Sequence, residues 1–196
     1  METSTYGKIT FENGSFYEGD IFNGEPHGKG KLTNYDEKGN KDVYEGDFVH
    51  GIRCGKCKWT SFNDNVYEGD VVDDKAHGKG KYTYKKDSEF IIGEWINRSG
   101  ISEYVDGEWI NISGVYEGDF AYGNFHGKGK LTDTFGVYEG DFVNGEKHGK
   151  GKLTYADGNT YEGDFSNGWP HGKGKIIDKD GKVMEGNWKE GCFVRE

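Results

Sequence analysis

The stretch Tyr138-Glu139-Gly140-Asp141-Phe142-Val143-Asn144-Gly145-Glu146-Lys147-His148-Gly149-Lys150-Gly151-Lys152-Leu153-Thr154-Tyr155 decides the fold. Its two halves both alternate. In the first, Tyr138, Gly140 and Phe142 fall on one face of an extended strand, and Glu139 and Asp141 on the other. In the second, Gly149, Gly151 and Leu153 share a face, and Lys150, Lys152 and Thr154 take the opposite one. Between them lies Asn144-Gly145, a dipeptide suited to a tight reversal. The pattern predicts a β-hairpin with an aromatic–glycine face and a charged face.

The same pattern recurs outward in both directions. Tyr-Glu-Gly-Asp starts at Tyr17, Tyr44, Tyr67, Tyr116, Tyr138 and Tyr161. Weaker copies centre on Gly93 and Gly186. His-Gly-Lys-Gly-Lys starts at His27, His77, His126, His148 and His171, with Cys54-Gly55-Lys56-Cys57-Lys58 as a variant. The spacing of the central glycines stays near 23 residues, and a fixed period of this length marks a repeat array. Residues 7–16 look like the second half of a preceding repeat. The prediction is all-β: an elongated, single-layer antiparallel β-meander of about eight hairpins, residues 1–196 forming one array. Connections are short and neighbours sequential, so crossovers and helices are not expected.

Composition agrees. The chain holds 34 glycines in 196 residues, more than twice the average share of about 7%. Glycine on the aromatic face leaves room for a ring from a neighbouring strand to lie over the backbone. Apolar residues make up 32%, which suits a thin structure with a small buried layer. The net charge of −10 argues against nucleic-acid binding, which needs a basic footprint. No run of 18 apolar residues exists, and the N-terminus has no signal-peptide pattern, so a cytoplasmic location is expected, with membrane or cytoskeletal association open. The sequons at Asn13, Asn97 and Asn111 then read as chance.

The Tyr-Glu-Gly-Asp-Phe and Gly-Lys-Gly strings at this spacing resemble the MORN (membrane occupation and recognition nexus) repeat over essentially the whole chain. The resemblance implies a scaffold or protein-binding module. MORN arrays also stand beside catalytic domains, as in plant phosphatidylinositol phosphate kinases and a SET-domain methyltransferase, but these 196 residues leave no room for one.

Enzymatic chemistry is not expected. The carboxylates belong to a repeated surface unit rather than to one water-excluding constellation. Gly-Lys-Gly-Lys lacks the strand–loop–helix context of a phosphate loop. Repeated histidines stand about two strands, roughly 9–10 Å, apart, too far to share one metal, and read as turn residues capping backbone groups. Cys54 and Cys57 lack two further zinc ligands at suitable spacing and align as substitutions of the repeat's His and Gly. On a regular strand their sulfurs would face opposite ways. No cofactor and no metal are expected.

The function expected is a non-enzymatic scaffold. Its aromatic face is the candidate groove for protein partners, formed by Tyr17, Tyr44, Phe48, Tyr67, Trp95, Trp109, Tyr116, Phe120, Tyr138, Phe142, Tyr161 and Phe165. The same rings also read as packing between repeats, and the two readings are compatible. Alternatives are a peripheral membrane or phosphoinositide-binding module and a regulatory subunit of an enzyme. Charge pairing of the lysines with neighbouring carboxylates weakens the first. Uncapped terminal strands suggest a homodimer through the terminal repeats. Two lapses stand out. Residues 86–115 lack a His-Gly-Lys-Gly string and carry Gly-Glu-Trp-Ile-Asn twice, at Gly93 and Gly107. They read as a degenerate repeat, with Trp95 and Trp109 pairing across it, or as a partner-specific patch. The other lapse is Cys54–Cys57.

Overall fold

A computed structural model describes residues 4–98 and 101–194, and side chains within these except at 85–112. The strands are β1 (Thr5–Thr10), β2 (Phe16–Phe22), β3 (Glu25–Tyr35), β4 (Lys41–Val49) and β5 (Ile52–Thr60). They continue as β6 (Val66–Val72), β7 (Lys75–Arg98), β8 (Ile101–Ala121), β9 (Asn124–Asp133) and β10 (Gly136–Val143). The last are β11 (Glu146–Tyr155), β12 (Thr160–Ser166), β13 (Trp169–Ile177), β14 (Val183–Lys189) and β15 (Cys192–Val194). All fifteen form one open sheet in sequence order, and every pairing is antiparallel. No helix occurs among the described residues. The sheet expected from the period-2 pattern is the sheet observed.

The hairpin β10–β11 shows how the pattern works. Tyr138 stands opposite Leu153, and Gly140 opposite Gly151. The Tyr138 ring lies across the cross-strand glycine: a Cβ on Gly151 would come within 2.4 Å of it. The ring's hydroxyl donates to the carbonyl of Asp141 at 2.9 Å and that of His148 at 3.3 Å. Burial of a Tyr or Phe ring here contributes roughly 1.5–3 kcal/mol, which exceeds the cost of glycine in a strand, about 0.5–1 kcal/mol.

Parity fails at one place. The register shifts between Gly140 and Asp141, which pairs with His148, so Gly149 and Lys150 bulge out of the β10–β11 ladder. Sequence alternation gives Gly149 and Gly151 the same role, as seats for rings. The structure gives them different ones. Gly149 adopts φ +57°, and a Cβ there would meet the Asp141 carboxylate at 2.9 Å. Only Gly151 seats a ring.

Adjacent hairpins are stitched at the turns. Asn144 and Gly145 both have positive φ, 51° and 91°, the signature of a type I′ reversal. The N–H of Gly145 donates to the carbonyl of Phe125 in the preceding hairpin at 2.9 Å. Gly51, Asp74, Gly123, Gly168 and Gly191 donate in the same way to Pro26, Arg53, Ala76, Lys147 and Pro170. The Asp157-Gly158 reversal differs: Asp157 is not left-handed, and Tyr155 closes a longer loop onto Asn159.

Residues 86–115 do not form a separate repeat. β7 and β8 run on past Tyr84↔Gly114 as one prolonged hairpin, bulged before Ser88 and again at Gly93. Among the described residues, 88–98 and 101–112 pair only with each other, because β6 and β9 bond the regular halves of β7 and β8. The expected Trp95–Trp109 pairing is not the register observed: Trp95 stands opposite Tyr104, and Trp109 opposite Ile91. The second Gly-Glu-Trp-Ile-Asn lies on the returning strand, and the bulge at Gly93 offsets the two copies.

Candidate functional site

Of the twelve ring residues proposed for a groove, the side chains of Trp95 and Trp109 lie outside the described residues. The other ten are buried. Tyr17, Tyr44, Phe48, Tyr67, Tyr116, Phe120, Tyr138, Phe142, Tyr161 and Phe165 all show 5% exposure or less. They stack edge-to-face from repeat to repeat. Phe142 is held between Tyr116 (5.0 Å) and Tyr138 (5.1 Å), and Phe165 between Tyr138 (4.9 Å) and Tyr161 (5.1 Å). Such contacts contribute about 0.5–1.5 kcal/mol each beyond area burial. These rings form the spine of the sheet, as the packing reading expects, and the exposed part of this face is what flanks them.

Two rows of side chains flank the spine. Opposite each tyrosine stands Leu32, Trp59, Tyr82, Leu131, Leu153 or Ile176. Opposite the Phe position of each strand stands Pro26, Arg53, Ala76, Phe125, Lys147 or Pro170. The second row is the variable x before His in the repeat, so a search for recurring residues passes over it. Its signal is the reverse: a column that changes while everything around it stays fixed.

Ala76 is the smallest member of that row, and a hollow of about 560 Å³ opens over it. Trp59, Tyr82 and Phe125 line it, together with the spine rings Tyr67 and Phe120. This volume lies within the ordinary range for ligand sites, about 300–1,000 Å³. Asn65, also on its lining, donates to the Tyr82 hydroxyl at 3.1 Å.

The row carries two cations. Arg53 Nε lies 2.7 Å from Asp74 Oδ1, and its guanidinium sits 5.0 Å from the Trp59 ring centroid. Burial pushes the Asp74 carboxyl up, but the hydrogen bonds and charge of Arg53 outweigh it and hold the group below its usual value. Lys147 lies 5.6 Å from the Tyr138 centroid, and burial lowers its ammonium pKa against the opposing charge of Asp133.

The opposite face is charge-paired. Lys31, Lys58, Lys81, Lys130 and Lys175 bind Glu45, Glu68, Glu117, Glu139 and Glu162 at 2.7–3.0 Å. Lys29, Lys56, Lys79, Lys128 and Lys150 bind Asp47, Asp70, Asp119, Asp141 and Asp164, each at 2.6 Å.

The rings of His27 and His126 do not cap their turns through Nδ1. The His27 ring packs 5.4 Å from Phe22 and 5.4 Å from His50, and its buried Nδ1 has no partner, as is also true of His126. The bulge turns the imidazole toward the neighbouring turn, while the backbone carbonyl receives the tyrosine hydroxyl. Cys54, Cys57 and Cys192 are free thiols. Cys57 occupies the glycine seat under Tyr44, and burial pushes its thiol up to about 11. The same bulge lies between Cys54 and Cys57, so simple strand parity does not describe their separation. No group of three His, Cys, Asp or Glu side chains is arranged to hold a metal among the described residues. No helix there is long and apolar enough to cross a membrane.

A protein-family profile for the MORN repeat matches residues 17–37, 44–66, 67–89, 116–134, 138–160 and 161–183, more than half of the chain. A search of curated proteins found no match.

Proposed function

Because the chain belongs to the MORN-repeat family, we propose that it is a non-enzymatic scaffold whose aromatic face receives a segment of a partner protein. The observation that carries this reading is the flanking row Pro26, Arg53, Ala76, Phe125, Lys147 and Pro170. It varies from hairpin to hairpin on a constant frame, and an aromatic-walled hollow opens where its side chain is smallest. Repeat arrays bind through such surfaces because the frame fixes spacing while the variable column sets chemistry. The charged face supports the same choice over lipid binding. Most of its lysines are already matched by carboxylates, in a chain of net charge −10, so attraction to an anionic leaflet is weak.

The test places a photo-crosslinking residue at Lys147, on the aromatic face, or at Lys152, on the charged face, in the source cell. Protein adducts from position 147 are the expected result. Adducts from position 152 alone overturn the reading. Co-sedimentation with anionic liposomes at low salt, lost at high salt, transfers the function to lipid binding. A single stoichiometric enzyme as the adduct makes the chain a regulatory subunit.

A further inference from the structure

We infer that the hollow over Ala76 and the ammonium of Lys147 together select one kind of partner segment: one bearing a large apolar side chain and, about 19 Å along it, a carboxylate. The inference rests on the aromatic face being the partner surface and adds what that partner carries. The spacing follows from the sheet. Ala76 is on β7 and Lys147 on β11, four strands on, and each strand step is about 4.8 Å. In a helical segment this is about 13 residues. In an extended one it is about six.

Each end is argued from its surroundings. At Ala76 the neighbouring members of the row are Arg53 and Phe125, and the methyl group leaves open the space that a longer side chain fills elsewhere. The walls are rings, which favour an apolar anchor and offer edges and faces to an aromatic one. Two charged residues, Asp74 and Lys75, stand on the hollow's lining; Asp74 is already held by Arg53 at 2.7 Å, and Lys75 is exposed at the rim.

Lys147 is the complementary end. The lysines of the charged face each have a carboxylate within 3.1 Å or belong to the same charge-dense surface. Lys147 lies on the other face, half-buried against the Tyr138 ring, with no carboxylate within 4 Å among the described residues. Asp133 is the nearby acid that acts on it, from beyond ion-pair distance. An ammonium removed from water without a counter-charge is costly, and a carboxylate arriving with the partner relieves that cost.

The test uses a phage-displayed library of random 16-residue peptides selected on the full chain. Enriched peptides should pair a Trp, Phe or Leu with an Asp or Glu at one of the two spacings. Ala76→Phe fills the hollow with the residue that Phe125 already places in the equivalent position, so the variant folds. It should weaken these peptides at least about tenfold, the loss expected for one anchor. Lys147→Glu should weaken them as well, and binding should return when the peptide acid is changed to Lys. No enrichment, or enriched peptides lacking the pair, overturns the inference. Peptides that ignore both substitutions, but whose photo-crosslinks map to the aromatic face, overturn the inference and leave the groove reading intact. Crosslinks mapping only to the charged face overturn both.

Discussion

Asp141 Oδ2 accepts the backbone N–H of Lys150 at 3.1 Å, and so closes the bulge in its own hairpin. The ammonium of the same Lys150 lies 2.6 Å from Asp164 of the next hairpin, whose Oδ2 accepts the N–H of Lys173 at 3.2 Å. One step back, Lys128 binds Asp141 by its ammonium and Asp119 by its N–H. Each aspartate therefore holds a bulge with one oxygen and the preceding repeat with the other. Local geometry and repeat stacking depend on the same side chain.

Asp141→Ala removes both contacts at once. A hydrogen bond to a charged group contributes about 1.5–3 kcal/mol, reduced here by solvent at a half-exposed site. The expected loss is about 1–2 kcal/mol in denaturant unfolding. Asp141→Asn should lose less, because the amide oxygen still accepts from Lys150. Equal losses for the two variants would show that the bulge bond contributes nothing.

The pH dependence follows from the same residues. Side-chain hydrogen bonds from Lys56, Lys79 and Lys150 hold the carboxyls of Asp70, Asp119 and Asp164 below their usual value. A carboxyl depressed in the folded state contributes stability above its unfolded value, about 3.9. That stability is lost as pH falls through the lower folded value. Melting temperature should be nearly level from about pH 7 to 5 and fall below about pH 4. A level profile down to pH 2 would contradict the relay.

At high pH the tyrosines act in the opposite sense. Burial, aided by the charge of Asp164, pushes Tyr161 up to about 12. A phenol raised in the folded state contributes stability that is complete below about pH 10 and is lost as pH rises through the folded value. Absorbance at 295 nm should show spine tyrosines titrating together with unfolding near pH 12. Titration of Tyr161 well below the unfolding transition, followed by its loss in Tyr161→Phe, would contradict burial of the spine.

Sequence made the sheet legible because side-chain direction alternates strictly along a strand: Tyr138, Gly140 and Phe142 had to share a face. The ion pairs followed from the same alternation. The bulge did not, because counting parity assumes an unbroken pleat, and His148-Gly149-Lys150 breaks it. Gly149 and Gly151 look identical by position and differ in backbone conformation. The flanking row was hidden for another reason: Ala76 and Lys147 occupy a column with no consensus, and a repeat is recognised by what stays constant. At Gly93 the local string resembled a repeat, but pairing with β8 rather than a new neighbour settles its place.

Cys57 and Val71 test how the spine tolerates exceptions. In regular repeats a ring covers a glycine, and the Phe of the next strand packs on that ring. Here Cys57 takes the glycine seat under Tyr44, and Val71 takes the Phe position two residues beyond its partner Gly69. Added volume in one is offset by volume removed in the other. The Tyr44 hydroxyl's bond to the Asp47 carbonyl is correspondingly long, 3.4 Å, against 2.7 Å for Tyr17 and Tyr116 to the matching aspartate carbonyl, while its second bond, 3.3 Å, is the same as theirs. Val71→Phe alone should overpack the site and cost about 1–3 kcal/mol. Cys57→Gly alone leaves a gap and should also destabilise. The double variant restores the repeat and should be at least as stable as the parent, giving a favourable coupling of about 0.5–3 kcal/mol in a double-mutant cycle. Additive losses would mean that the two substitutions arose independently of each other's volume.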